Sequence, residues 1–118
     1  MFKERFDLSQ RSGEFHRIKS KFPDKIPIIC EIDKTDNHID STNFTKNKYL
    51  VDGCLTVGQF MYIVRKRIKV PPEKAIYLTV GNGIIPPTGE LMSNIYKKHK
   101  DPYDNFIYFF IMGEAFFG

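Results

Sequence analysis

Two stretches of the chain have the hydrophobic pattern of β-strands, but only the first alternates between two different faces. Along residues 26–32 successive side chains fall on two distinct faces, as in a strand with one strongly apolar side. One face carries Ile26, Ile28, Cys30 and Ile32, and the other carries Pro27, Ile29 and Glu31. Residues 106–112 are apolar throughout, and a strand without alternation is covered on both faces. The fold therefore needs a packing layer on each side of its sheet.

A third segment has helical periodicity. Thr56 and Gln59 stand three residues apart at the start of segment 57–68, which is the spacing of a capping box. The apolar stripe of this predicted helix consists of Val57, Met61, Val64 and Ile68. At about 100° per residue, Phe60 lies roughly 70° and Ile63 roughly 130° from the centre of the stripe. Ile63 should therefore be at least partly exposed.

The rest of the chain predicts shorter elements. In order, these are a helix over 2–8, a helix over 11–22, a loop over 33–46, a strand over 48–52, a strand over 76–80 and a short helix over 90–98. Phe15, Ile18 and Phe22 fall on one face of the 11–22 helix. Thr88 is expected to cap the last helix, and glycines flanking an asparagine predict a turn after the third strand.

The order of these elements favours a ubiquitin-like β-grasp with two additional N-terminal helices, a fold of the α+β class. The 57–68 helix should cover one face of the sheet and the N-terminal helices the other. We expect a single domain over 1–118. Within it, a helical extension over 1–25 precedes the β-grasp over 26–112, and 113–118 form a flexible tail.

Composition limits the class of protein. A chain of 118 residues with 42% hydrophobic and 27% charged residues is typical of one globular domain, which excludes a disordered or fibrous chain. No apolar run approaches the roughly 20 residues of a membrane span, and the N-terminus lacks the apolar core of a secretory signal. The two cysteines form no CxxC pair. These features are typical of an intracellular domain.

Charge is distributed unevenly along the chain. The formal net charge is +4, with basic blocks over 1–25 and 46–74 separated by an acidic stretch over 31–40. Two interpretations remain open at this point. The blocks form an ordinary solvated surface, or they converge on one groove that attracts acidic ligands.

The sequence offers little catalytic chemistry. Cys30 falls on an apolar strand face, which predicts an inert core thiol, and Cys54 has no identified base beside it. Asp33, Asp36 and Asp40 lack the glycine and the terminal glutamate of a calcium-binding EF-hand loop. We therefore expect no enzyme, no metal site and no cofactor.

Nucleotide and nucleic-acid binding are also disfavoured. Gly81-x-Gly83 is followed by Pro86 where a dinucleotide-binding fingerprint has its third glycine. The aromatic stretch 106–112 contains no lysine or arginine, unlike the RNA-binding strand of an RRM. The sequence predicts no nucleic-acid partner.

Several longer motifs resemble one known family. They are Phe22-Pro-Asp-Lys-Ile-Pro-Ile-Ile-Cys-Glu31, Lys48-Tyr-Leu-Val51, Leu55-Thr-Val-Gly-Gln-Phe60, Arg65-Lys-Arg-Ile68, Ile85-Pro-Pro87, Phe106-Ile-Tyr108 and the final Phe117-Gly118. In this order they resemble the autophagy ubiquitin-like modifiers, the group of GABA-receptor-associated protein and microtubule-associated-protein light chain three. The resemblance covers most of the chain.

The resemblance implies a protein tag. In that family an E1-like and an E2-like enzyme join the C-terminal glycine, here Gly118, to phosphatidylethanolamine, and a cysteine protease processes and deconjugates the modifier. A monomeric cytoplasmic protein that moves to autophagosomal membranes when lipidated is implied, together with receptors carrying an aromatic-x-x-aliphatic motif. The alternative is an unconjugated ubiquitin-like interaction domain in which Gly118 has no role.

The resemblance also implies a peptide-binding groove on the second strand. One pocket would be lined by Glu14, Ile18, Pro27, Ile29, Lys48, Leu50 and Phe106. The other would be lined by Tyr49, Val51, Leu55, Phe60 and Ile63. Three cations, Lys25, Lys46 and Arg67, would flank the pockets and attract acidic residues around the ligand motif.

The chain departs from the family pattern in several places. Its N-terminal segment is shorter than usual and its first helix lacks the usual tyrosine and His-Pro pattern. The resemblance therefore does not extend to roles of that helix such as tubulin contact or membrane tethering. The loop over 33–45 is longer and more acidic. Asp52-Gly53 stands where a proline commonly follows the strand, which is expected to loosen the rim of the second pocket.

Overall fold

A computed structural model describes residues 1–32 and 47–113. Its elements are α1 (Phe2–Arg5), α2 (Leu8–Lys21), β1 (Lys25–Ile32), β2 (Lys48–Asp52), α3 (Val57–Ile68), β3 (Ile76–Val80), α4 (Met92–His99) and β4 (Ile107–Gly113). Segment 33–46, interpreted from the sequence as a loop, and residues 114–118 lie outside the described residues.

The strands form one mixed sheet in the order β2-β1-β4-β3. The two central strands, β1 and β4, run parallel with Ile28 opposite Ile107, while each outer strand pairs antiparallel with its neighbour. A first hairpin, a crossing helix and two further strands are thereby joined as in ubiquitin. The β-grasp with N-terminal helices that the sequence predicts is confirmed.

Helix α3 packs on one face of the sheet and forms the main core. Its start has the predicted capping box, in which Thr56 Oγ1 accepts from the Gln59 backbone N–H at 3.1 Å and Gln59 Oε1 accepts from the Thr56 N–H at 2.9 Å. It ends where Lys69 adopts a left-handed conformation. From the sheet, Ile26, Ile28 and Cys30 reach this core, as their alternation predicts.

The helix buries a slightly different stripe from the predicted one. Phe60 is fully buried, whereas Met61 is only partly buried at the edge of the core. Phe60 turns inward because its ring meets Tyr49 edge to face at 5.5 Å and Phe109 at 5.4 Å. Aromatic contacts with the sheet therefore decide the rotation of α3. Ile63 is partly exposed, as expected.

The N-terminal helices cover the opposite face. Their cluster consists of Phe2, Phe15, Ile18, Ile29 and Phe106. Helix α2 begins three residues before the predicted start because Asp7 and Gln10 form a second capping box. Helix α1 is shorter than the predicted 2–8 and ends at Arg5. On β4 itself one face is buried, whereas the face toward the N-terminal helices is only partly buried at Tyr108, Phe110 and Met112. The cover on both faces that the unbroken apolar run predicts is therefore complete on one face alone.

The predicted cap of the last helix is wrong. Helix α4 begins at Met92 after Leu91, with no side-chain cap. Thr88 instead accepts a hydrogen bond through its carbonyl oxygen from the Gly58 N–H at 2.9 Å. A Cβ at Gly58 would lie 3.3 Å from that oxygen, so this close approach favours glycine. Thr88 thus anchors the segment before α4 to the start of α3.

Candidate functional site

A groove of about 410 Å³ opens between α2, β2 and the last turns of α3. It is lined by Glu14, Arg17, Ile18, Phe22, Lys48, Tyr49, Leu50, Val51, Ile63 and Arg67. Three separate elements supply these residues, so the groove exists only in the folded chain. Eight of the residues are ones that the family resemblance implies.

The floor of the groove is an edge strand. In the described sheet β2 pairs on one side with β1, where Leu50 lies opposite Pro27. Its outer side faces the groove, and an edge of this kind can receive an extended peptide as an additional strand. The Leu50 side chain is 39% exposed and offers apolar surface on this edge strand.

Successive residues of β2 serve different parts of the groove. Lys48 and Leu50 point toward α2, whereas Tyr49 and Val51 point toward α3 and are buried. The guanidinium of Arg67 lies 5.5 Å from the centre of the Tyr49 ring. The two-residue period of the strand therefore divides the groove into a part under α2 and a part beside α3.

Charged side chains line the α2 side. Glu14 accepts a hydrogen bond from the Arg17 guanidinium and lies 3.4 Å from Lys48 Nζ. The hydrogen bond from Arg17 and, to a smaller extent, the charge of Lys48 lower the pKa of Glu14 against the opposing effect of burial. At neutral pH the carboxylate is ionised and holds both cations beside the entrance.

Other residues of the implied pockets lie deeper. Ile29, Phe60 and Phe106 are fully buried, with 0% of each residue's surface accessible to solvent. Pro27 is also buried. Ile29 therefore has a core role that the sequence interpretation did not give it. These side chains support the groove from below, and in the free protein they do not form its surface.

The remaining implied residues lie at the margin or outside the described part of the chain. Leu55 is partly buried against the main core, and Lys25 forms an ion pair with Asp52 at 2.7 Å at the end of β2. Lys46 and Gly118 lie outside the described residues.

Two groove residues were missed by the sequence interpretation. Phe22 was placed on the buried face of its helix, but it follows α2 with a non-helical backbone and is 45% exposed. Arg17 was not among the predicted groove residues, yet it reaches the groove rim through Glu14. The signal for Arg17 was present, because an acid and an arginine three residues apart pair on one helix face.

The cysteines behave as two separate thiols. Cys30 is fully buried, and burial raises the pKa of its thiol far above the usual range. Cys54 is exposed at the turn before α3. Residues 1–32 and 47–113 contain no cluster of three or more metal-ligating side chains, and the three loop aspartates weighed for metal binding lie outside these ranges.

Within residues 1–32 and 47–113, no helix is both long enough and apolar enough to cross a bilayer.

The family relationship is clear from the sequence as a whole. The family described as "Autophagy protein Atg8 ubiquitin like" matches residues 10–118. The chain belongs to the Atg8 family. Autophagy-related protein 8 of Schizosaccharomyces pombe is 49% identical over 118 residues, which span 99% of this chain and 93% of that protein. The protein of the same name from Emericella nidulans is 48% identical over 118 residues, 99% of this chain and 95% of its own.

The solved structures agree with this assignment. The crystal structure of Trypanosoma brucei ATG8 matches with a TM-score of 0.85 and 33% sequence identity, over 96% of this chain and 93% of that one. The chain is thus a ubiquitin-like modifier of autophagy. Membership in the Atg8 family links it in general terms to a ubiquitin-like conjugation pathway and to the autophagosome.

Proposed function

We propose that this Atg8 protein is joined through Gly118 to phosphatidylethanolamine, and that its β2 groove then recruits receptors carrying an aromatic-x-x-aliphatic motif. The groove carries the second half of this proposal, because it combines an edge strand, exposed apolar side chains and a charged rim. The Atg8 relationship supports the first half.

The groove chemistry suits an extended peptide. Main-chain groups on the outer side of β2 can pair with the peptide backbone, while Leu50 and Ile63 offer apolar contact to alternate side chains. An aromatic residue would enter the part under α2 and an aliphatic one the part beside α3. Arg67 at the groove rim would favour acidic residues around the motif, and Lys25 and Lys46 are proposed to do the same.

The conjugation step needs partner enzymes. An E1-like enzyme joins the Gly118 carboxylate to the AMP part of ATP, which releases pyrophosphate, and a thiol of that enzyme then displaces AMP to form a thioester. Thiol exchange passes the acyl group to a cysteine of an E2-like enzyme and frees the first thiol. The amine of phosphatidylethanolamine attacks the thioester carbonyl, so a C–N bond forms, the C–S bond breaks and the thiol is released with a proton. Glycine suits this position because it has no β-carbon to obstruct an enzyme channel.

The proposal includes the wider role of the chain. The protein is a tag and not an enzyme, acts as a monomer and needs no cofactor, metal or nucleic acid. A cysteine protease would process and deconjugate it, and it would exchange between cytoplasm and autophagosomal membranes. The domain arrangement proposed is one unit over 1–118, with a helical extension over 1–25, the β-grasp over 26–112 and a tail over 113–118.

Reconstitution tests the conjugation. The full chain is incubated with the E1-like and E2-like enzymes, ATP and vesicles containing phosphatidylethanolamine, and adducts are read by mass spectrometry. Wild type should gain the lipid, a chain lacking Gly118 should not, and Gly118→Ala should be strongly impaired. A lipid adduct on the shortened chain, or none on wild type while a known family member is conjugated, would favour the interaction-only alternative.

Calorimetric titration tests the groove separately. Leu50→Ala should weaken binding of an aromatic-x-x-aliphatic peptide by about 1–2 kcal/mol with little change in stability. Leu8→Ala is the matched control, because Leu8 is 44% exposed on α2 and does not line the groove. Equal affinity of wild type and Leu50→Ala would exclude the assigned groove.

A further inference from the structure

The net charge of the chain is concentrated in one short segment. Residues 65–74 contain five of the 18 Lys/Arg and one of the 14 Asp/Glu. This segment alone therefore accounts for the formal charge of +4, and the rest of the chain balances to zero. Four of its cations form what we call the basic patch: Arg65, Lys66, Lys69 and Lys74. The fifth, Arg67, lines the groove.

The patch is held in shape by hydrogen bonds. Arg65 Nη2 donates to the carbonyl oxygens of Lys74 at 2.8 Å and Pro71 at 3.1 Å, which fastens the loop before β3 to the end of α3. Lys66, Lys69 and Lys74 are exposed around this anchor. The acidic residue in the segment is Glu73, so the local field is strongly positive.

The patch also lies beside the point where the chain leaves the sheet. Ile76, the first residue of β3, is opposite Gly113, the last residue of β4, and Lys74 precedes Ile76 by two positions. Five residues separate Gly113 from Gly118. At about 3.5 Å per residue, Gly118 can be no more than about 18 Å from Gly113. A bilayer bonded to Gly118 is therefore kept close to this end of the sheet.

We infer that the basic patch binds anionic phospholipid headgroups of the membrane to which Gly118 becomes attached. This inference rests on the proposed conjugation. Free phosphatidylethanolamine is zwitterionic and carries no net charge, so attraction of the unconjugated protein to the bilayer surface must come from anionic neighbours. Their field extends about 8 Å at physiological salt, and each nearby Lys or Arg raises membrane partition roughly fivefold.

Vesicle sedimentation of the unconjugated full chain tests the patch without any conjugating enzyme. Vesicles contain phosphatidylcholine alone or with about 30% phosphatidylserine. Wild type should bind only the anionic vesicles. The triple variant Lys66→Gln, Lys69→Gln, Lys74→Gln should lose at least about 30-fold in partition, with an unchanged melting temperature. Arg65 is left intact because it holds the loop.

A second triple variant is the matched control. It removes the same charge from the end of α4, by the substitutions Lys97→Gln, Lys98→Gln and Lys100→Gln. This region lies at the end of β3 away from the patch, because the neighbouring His99 Nδ1 is 3.5 Å from the Cβ position of Gly81, which follows β3. This variant should keep its partition within about threefold of wild type. Equal losses in both variants, or equal wild-type binding to neutral and anionic vesicles, would overturn the patch as a specific surface.

Two further measurements distinguish failure of the membrane assignment from failure of the proposed conjugation. If wild type binds a polyglutamate peptide but no vesicle, the patch recognises an acidic protein and the membrane assignment is wrong. Conjugation on vesicles with and without phosphatidylserine is measured separately. Absence of any conjugate would contradict the proposed function. It would not affect the conclusion about the patch, because sedimentation is measured on the unconjugated chain. A wild-type rate that rises with phosphatidylserine, and a patch variant whose rate does not, would support both.

Discussion

Arg11 and Asp104 join helix α2 to the loop that precedes β4, with Arg11 Nε donating to Asp104 Oδ2 at 2.9 Å. The Asp104 side chain is fully buried. It also accepts from the Phe106 N–H at 2.9 Å and from the Tyr108 hydroxyl. Burial and the bond to Asp104 together raise the pKa of Tyr108. One carboxylate thus fixes the N-terminal helices to the central sheet.

Replacing this carboxylate should strongly destabilise the folded protein. Asp104→Ala leaves the Arg11 guanidinium and the Tyr108 hydroxyl without their shared acceptor, so we expect a loss of about 3–5 kcal/mol in the free energy of unfolding, measured by urea titration. Lys25→Ala, which breaks the solvent-exposed pair with Asp52, should cost less than about 1 kcal/mol. Similar losses in the two variants would contradict a special role for Asp104.

The packing of α2 on the second face of the sheet can be tested by substituting one aromatic residue. Phe15 is buried and meets the Phe106 ring edge to face at 5.7 Å. Phe15→Ala should reduce the free energy of unfolding by about 3–5 kcal/mol because it opens a cavity between α2 and the sheet. His16→Ala, at the exposed neighbouring position, should stay within about 0.5 kcal/mol of wild type. A stable Phe15→Ala protein would show that α2 is a dispensable addition.

Tyr49 offers a stabilising substitution. Its hydroxyl oxygen is buried and has no hydrogen-bond partner among residues 1–32 and 47–113. Tyr49→Phe removes that polar atom while keeping the ring contact with Phe60, so stability should rise by about 1 kcal/mol. Chemical denaturation at neutral pH measures the change. A loss of more than about 1 kcal/mol would show that the hydroxyl is hydrogen-bonded in solution.

The same residue predicts a pH dependence. Burial raises the pKa of Tyr49 to about 12 from an ordinary value near 10. Between these values the unfolded chain releases the proton first, so the folded state loses stability as pH rises from 10 to 12. The contribution of one such group is about 1.4 kcal/mol per pH unit. Denaturation at several alkaline pH values should show a shallower decline for Tyr49→Phe than for wild type.

Charge reversal at the groove rim should change peptide selectivity. Arg67 lies at the rim, so Arg67→Glu should weaken binding of a peptide with acidic flanks more than one with neutral flanks. That difference should shrink as salt is added, because exposed charges are screened. Lys66→Glu, one position along α3 and outside the groove lining, is the control. An effect of equal size from Lys66 would indicate a general charge effect.

Local rules predicted most of the elements, because the signals that start and stop them lie close together in the sequence. The capping box at Thr56 and Gln59 gave the start of α3 correctly. The same type of signal at Asp7 and Gln10 was overlooked, which placed the start of α2 three residues too late. The unbroken apolar run of β4 predicted burial on both faces, but its residues on the second face, such as Phe110, are only partly buried.

Predictions that depended on contacts distant in sequence were less accurate. The helical period alone favoured Met61 over Phe60, but the rings of Tyr49 and Phe109 turn Phe60 inward. Thr88 looked like a helix cap, yet its carbonyl oxygen is engaged by Gly58 from α3. For the groove, the sequence identified most of the lining through resemblance. It missed Phe22, whose exposure depends on where α2 ends.

The order of the strands has a mechanical consequence. β2 and β3 are the two outer strands of the described sheet, and β1 and β4 stand between them. At about 4.8 Å per strand the outer pair is roughly 14 Å apart. A molecule tethered beside β3 would therefore hold its receptor on the far side of a rigid spacer. Cargo and bilayer would then be engaged at the same time by one small domain, without competing for the same backbone.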